Sequence, residues 1–119
     1  MKEEIYKIKC STFRRTLELH VGWDPEELFW DVWFDWDLTA GFYWFDPENN
    51  CNIIWMRDYN LSTLVHELVH CVEWITEQVW LDMKWEPIAF IYEELFTNIW
   101  IQCWKKFKLD EKTKKYFTS

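Results

Sequence analysis

Apolar and polar positions alternate from the start of the chain. In "YKIKC", Tyr6, Ile8 and Cys10 are set against Lys7 and Lys9, and in "LELHV", Leu17, Leu19 and Val21 are set against Glu18 and His20. A period of two is the mark of a strand with one buried face, so two early strands are predicted. The segment "DPEELFWDVW" follows, with Asp24 as N-cap, Pro25 at the first helical position and Glu27 where a capping box places its acid; a short helix is expected there. "GFYWF" and "CNIIWM" flank the turn-rich "DPENN" and read as a hairpin with a longer loop. Beyond it the period lengthens. Leu61, Leu64, Val65, Leu68, Val72, Ile75 and Val79 fall at helical spacing, with Asn60 or Ser62 available as the cap. A second long helix is predicted from about Glu86 to Phe107 through Ile88, Ile91, Leu95, Ile99 and Cys103, with Pro87 tolerated in its first turn. The pattern predicts an α+β fold: an N-terminal antiparallel sheet packed against two main C-terminal helices.

Composition narrows the class. A chain of 119 residues suits one domain, here residues 1 to 119, and no repeat or low-complexity linker divides it. Half the residues are apolar and 11 are Trp, which is the composition of a chain that folds rather than a disordered one. No apolar run reaches the length of a membrane span, and "MKEEIYKIKC" lacks the apolar region of a secretory signal, so a cytoplasmic protein without a membrane partner is expected. Cys10, Cys51, Cys71 and Cys103 show no CxxC spacing and read as buried free thiols. The net charge of −8 is uneven: residues 104 to 119 carry six Lys against two acids, which leaves the body near −12 and the tail near +4. So acidic a body argues against a nucleic-acid-binding face, because affinity for phosphate depends on clustered Lys and Arg. The basic tail reads as a solvated end.

Candidate chemistry lies in "LSTLVHELVHCVEW". His66, Glu67 and His70 form H-E-x-x-H, and a four-residue step on a helix puts both imidazoles on one face, able to grip one Zn²⁺ beside a carboxylate. Zinc brings the pKa of water towards about 7, and Glu67 is placed to take its proton. Val65, Leu68, Val69 and Val72 surround the pair, which predicts that both histidines are at least half buried. A zinc site of this type needs a third protein ligand. Glu73 and Glu77 on the same helix, Glu86, Glu93 and Glu94 on the next, and His20 upstream are the candidates. Three ligands in line along one helix wrap a tetrahedral ion badly, which favours the next helix and Glu86 at its start, with Glu93 or Glu94 in reserve. Cys71 points away from the histidine face and is assigned to the core.

The segments "TLVHELVH" and "EPIAFIYEEL" together resemble the small zincin metallopeptidases of phages and mobile elements, related to the ImmA/IrrE type. The resemblance spans Asn52 to about Asn98. It implies His66 and His70 as histidine ligands, Glu67 as general base, Glu86 as third ligand, a zinc cofactor and a protein or peptide substrate. It also implies that an extended peptide lies along the strand "NIIWM", pairing through its backbone. Two positions depart from the family pattern: Pro87 replaces the small residue usual after the third ligand, and Val69 replaces the Gly common before the second histidine.

The expected function is zinc-dependent hydrolysis of a peptide bond, in the host cytoplasm if the chain is phage-encoded. Tyr59, Tyr92 and His20 are candidates to stabilise the oxyanion, and nothing in the sequence selects among them. A zinc-stabilised protein-binding module that cuts nothing, such as a phage accessory factor, is the alternative; exposed Trp30, Trp33 and Trp36 would be its signature.

Overall fold

The computed structural model describes residues 3–11, 14–22, 39–78 and 85–107, with the backbone alone for 85–87. The expected helix from Asp24 and the tryptophans Trp30, Trp33 and Trp36 lie outside the described residues, as does the basic tail beyond Phe107. Four strands, β1 (Glu4–Cys10), β2 (Arg15–Val21), β3 (Gly41–Asp46) and β4 (Cys51–Met56), precede two helices, α1 (Leu61–Gln78) and α2 (Trp85–Cys103), and a 3-10 turn at Trp104–Lys106. This is the α+β arrangement the pattern predicts. The sheet order is β1-β2-β4-β3. Antiparallel pairing joins β1 to β2 and β3 to β4, whereas β2 and β4 run parallel, so the expected antiparallel sheet is in fact mixed. Two hairpins meeting side by side produce that one parallel seam, and periodicity does not reveal which strands will meet.

Register lines up the core. Ile8 lies opposite Leu17, Tyr6 opposite Leu19, Leu17 opposite Asn52 and Leu19 opposite Ile54, which gives the helices one apolar sheet face. Alternation of side chains along each strand makes this possible. On that face Asn52 is fully buried, and it accepts a bond from the Tyr43 hydroxyl (2.5 Å) while its amide donates to the Thr16 carbonyl (3.0 Å). The β3–β4 turn is held by Asp46, whose carboxylate accepts from the Glu48 amide and from the Asn49 side chain, and Asn50 takes the left-handed conformation at φ 48°. Asn tolerates that region better than most residues.

Helix α1 begins at an asparagine cap: Oδ1 of Asn60 accepts from the Thr63 amide at 3.1 Å. Its stripe of Leu61, Leu64, Leu68, Cys71, Val72 and Ile75 enters the core, and Val65 is left 40% exposed. Helix α2 buries Ile91, Leu95, Ile99 and Cys103, the positions its spacing predicts. All four cysteines are buried free thiols. No helix among the described residues is long and apolar enough to cross a membrane.

The two outer strands end up in different surroundings. Along β1, α2 supplies a ladder of side chains to the strand backbone: Glu94 accepts from the Ser11 amide (2.6 Å), Asn98 donates to the Lys9 carbonyl (2.8 Å) and Gln102 to the Lys7 carbonyl (3.1 Å). Four-residue steps on the helix meet two-residue steps on the strand, since both advance about 6 to 7 Å. Among the described residues no strand pairs with the outer edge of β3.

Candidate metal centre and its cleft

The core stripe of α1 decides where the motif faces. With Leu64, Leu68 and Cys71 turned inward, His66 and His70 fall on the outer flank and are exposed, the His66 side chain at 71%. This corrects the expectation that the pair is at least half buried: Val65 and Val69 beside them are also exposed, so the apolar surroundings do not enclose the imidazoles. The buried member is Glu67, at 7% exposure. Burial pushes its carboxyl above the usual carboxylate range, and the neighbouring His66 and His70 pull it back in part.

Glu67 is buried by the close approach of β3, and Gly41 permits that approach. A Cβ at Gly41 would sit 2.5 Å from Cγ2 of Thr63, 3.1 Å from the Trp55 carbonyl oxygen and 3.2 Å from Cγ of Glu67. Sequence reasoning missed this residue. Its signal was the rarity of glycine, which occurs only twice in the chain, with Gly41 at the head of the predicted hairpin.

The imidazole rings of His66 and His70 have centroids 5.1 Å apart and planes at 79°. Two imidazoles sharing a tetrahedral ion at about 2.0–2.1 Å from one nitrogen each would have centroids about 5 Å apart. The pair therefore fits two corners of such a site. Oε1 of Glu67 lies 4.0 Å from Nε2 of His66, close enough to hold a water beside an ion there.

The third corner is where the candidates separate. The Glu86 side chain lies outside the described residues, although the backbone places Glu86 in the first turn of α2, as predicted. Glu94 is engaged with Ser11 and Cys10 at the β1 edge, which removes it from the reserve. Glu93 is exposed on α2. His20 sits on β2 in the register that faces away from the helices, its Nε2 3.1 Å from Oε1 of Glu18. Glu73 and Glu77 line the same cleft as the histidines, yet no group of three His, Cys, Asp or Glu among the described residues is gathered closely enough to hold a metal ion. Of the three oxyanion candidates none lines the cleft: Tyr59 bonds to the Tyr6 hydroxyl at 2.7 Å, Tyr92 stacks on Phe96, and His20 is placed as above.

No known protein family matches the chain, and no curated protein or solved structure does either. The site's own geometry therefore carries the reading.

Three hollows run into one another along β3. The central one, about 500 Å³, is walled by Gly41, Phe42 and Tyr43 on the strand side and by the motif with Glu73, Trp74 and Glu77 on the helix side. A second, about 430 Å³, shares Gly41, His66 and Glu67 with it and continues towards Thr39 and Ser62. Glu67 thus borders an open groove on both sides of Gly41.

The groove corrects the strand along which a peptide could lie. β4, which contains "NIIWM", is paired on one side by β2 and on the other by β3, so it has no edge to offer. Among the described residues, the strand beside the motif that has an unpaired edge is β3. The Arg57 amide donates to the Ala40 carbonyl at 3.0 Å, which sets the phase of the β3–β4 ladder. Alternate residues of an antiparallel pair turn their backbone groups the other way, so Gly41, Tyr43 and Phe45 direct theirs to the open edge.

Proposed function

We propose that this protein is a zinc-dependent peptidase of the zincin kind, with His66 and His70 as ligands, Glu86 as third ligand and Glu67 as the catalytic acid and base. The observation that carries the reading is the two-imidazole spacing of 5.1 Å next to a buried carboxylate, at the side of an open strand edge. Bound zinc would supply a Lewis acid that polarises the scissile carbonyl and brings the pKa of water towards about 7. Glu67 takes the proton of the attacking water and delivers it to the leaving amine. Its burial suits that double role, because desolvation raises the carboxyl above its ordinary value and so favours the protonated form through which it must pass. Gly41, Tyr43 and Phe45 bind the substrate backbone as an added strand, which holds the scissile bond beside Glu67.

The silent binding module is less well supported, because Glu67 borders open grooves and is not sealed in a waterless pocket. Glu67→Gln separates the two readings. It keeps zinc and loses about 100- to 10,000-fold in cleavage rate if Glu67 moves the proton. Unchanged cleavage with zinc in place would overturn the mechanism.

A further inference from the structure

The third hollow along β3 differs chemically from the other two. It is about 460 Å³, is lined by Tyr43, Trp44, Phe45, Pro47 and Trp74, and shares Tyr43 and Trp74 with the central cleft. Phe45 and Trp74 are in ring contact at 5.6 Å, and Trp74 is 40% exposed. Just past this apolar hollow on the helix wall stands Glu77, with Glu73 before it, both exposed and lining the cleft. An aromatic pocket at a strand edge, followed by carboxylates, is a pattern of side-chain selection laid along a backbone-binding edge.

Two independent rulers place the pocket relative to the chemistry. Trp74 is seven residues beyond Glu67 on α1, about 10 Å along the helix axis. Tyr43 and Phe45 are two and four residues beyond Gly41, which abuts Glu67, or about 7 to 13 Å along the strand. Both put the pocket about three extended residues from the scissile bond. Glu77 is about 15 Å from Glu67 by the same helical measure, about 5 Å or one to two residues further out, and of these the second turns its side chain to the same wall as the residue in the pocket. β3 and α1 run in the same direction here, since Gly41 meets Glu67 and Phe45 meets Trp74. A peptide added antiparallel to β3, the stronger pairing per residue, runs back from the pocket towards Glu67. The residue in the pocket then precedes the cut bond.

We propose that the substrate is an extended peptide with a large apolar side chain about three residues on the N-terminal side of the cut bond and a Lys or Arg about two residues further towards its N-terminus. The proposal rests on the peptidase reading of the site and adds its specificity. The apolar side chain fills the hollow between Phe45 and Trp74; the basic one meets Glu77.

The test uses the full chain loaded with zinc and a set of twelve-residue peptides in which one Phe, with a Lys two residues before it, is walked through a Ser and Thr background. Cut sites are read by mass spectrometry with the native protein, and affinities by fluorescence anisotropy with Glu67→Gln. The cut is expected to move with the Phe and to stay about three residues C-terminal to it. Replacing the Phe by Ser is expected to weaken binding about tenfold or more. Trp74→Ala removes the preference for Phe; Glu77→Gln, an exposed substitution that leaves the core untouched, removes only the preference for Lys. Cut sites indifferent to the Phe, or cuts on its N-terminal side, would overturn the proposal while leaving a peptidase. Binding that depends on Phe and Trp74 without any cleavage by the native protein would support the pocket and overturn the catalytic reading. Failure of every peptide to bind Glu67→Gln would overturn the pocket's role.

Discussion

Along β1, Glu94, Asn98 and Gln102 of α2 occupy the outward backbone groups of the strand, while along β3 the matching groups of Gly41, Tyr43 and Phe45 face a groove. An exposed strand edge invites pairing with other chains, and proteins commonly cover or blunt it. Among the described residues, one edge is covered by a helix, and the other, left unpaired, runs beside His66, Glu67 and His70. The contrast teaches that the same backbone chemistry is neutralised where it would be a liability and left available where a peptide could be read. The covered edge also closes at its far end, where Lys106 pairs with Glu4 and lies over the rings of Tyr6 and Tyr59.

Gly41→Ala is the change expected to disturb the open edge most. A methyl forced against Thr63 and the Trp55 carbonyl pushes β3 off α1, at a cost of about 1–3 kcal/mol by denaturant melting. If the proposed peptidase reading holds, cleavage should fall further than stability, because the shift separates the β3 edge from Glu67. Full activity in a folded Gly41→Ala protein would remove β3 from the account.

At the covered edge, the effect is smaller. Asn98→Ala or Gln102→Ala each removes one exposed bond to β1, worth about 0.5–1.5 kcal/mol at most, and leaves cleavage unchanged. Hydrogen exchange sharpens the same contrast: the Ser11 amide, donating to Glu94, is protected in the resting protein, and the Gly41, Tyr43 and Phe45 amides become protected only when peptide binds.

Much of this was legible beforehand. Alternation at Tyr6–Cys10 and Leu17–Val21, the turn at Asp46–Asn50 and the helical stripe from Leu61 all report local geometry, and they correspond to the four strands and two helices. Three things depended on tertiary placement. The parallel β2–β4 seam follows from how two hairpins dock, which no local period encodes. The exposure of His66 and His70 follows from which stripe of an apolar helix wins the core, and Leu64, Leu68 and Cys71 won it over Val65 and Val69. The choice of β3 over "NIIWM" as the open strand follows from β4 being sandwiched. Within the motif the spacing of the two histidines was readable, since it is set by the helix itself; that Glu67 would be the buried member was not, since Gly41 buries it from another element.

The smallest expected effect is a pH response at the covered edge. Burial and the Glu4 carboxylate push the Tyr6 phenol from 10.0 up to about 12. The folded protein thus holds a proton that the unfolded chain releases, so stability is full below pH 10 and falls as the pH rises through about 12. A melting temperature that declines over that window less steeply in Tyr6→Phe than in the native protein is the expected result; equal slopes would assign the decline to other groups.

Metal content decides whether the His66–His70 pair is a zinc site. Purified native protein, equilibrated with zinc and desalted, should carry about one zinc per chain, as a site built from one histidine pair holds one ion. His66→Ala, an exposed position whose loss leaves the core intact, should carry almost none while melting as a folded protein. A native protein that retains no zinc, or a His66→Ala variant that retains a full equivalent, would contradict the account.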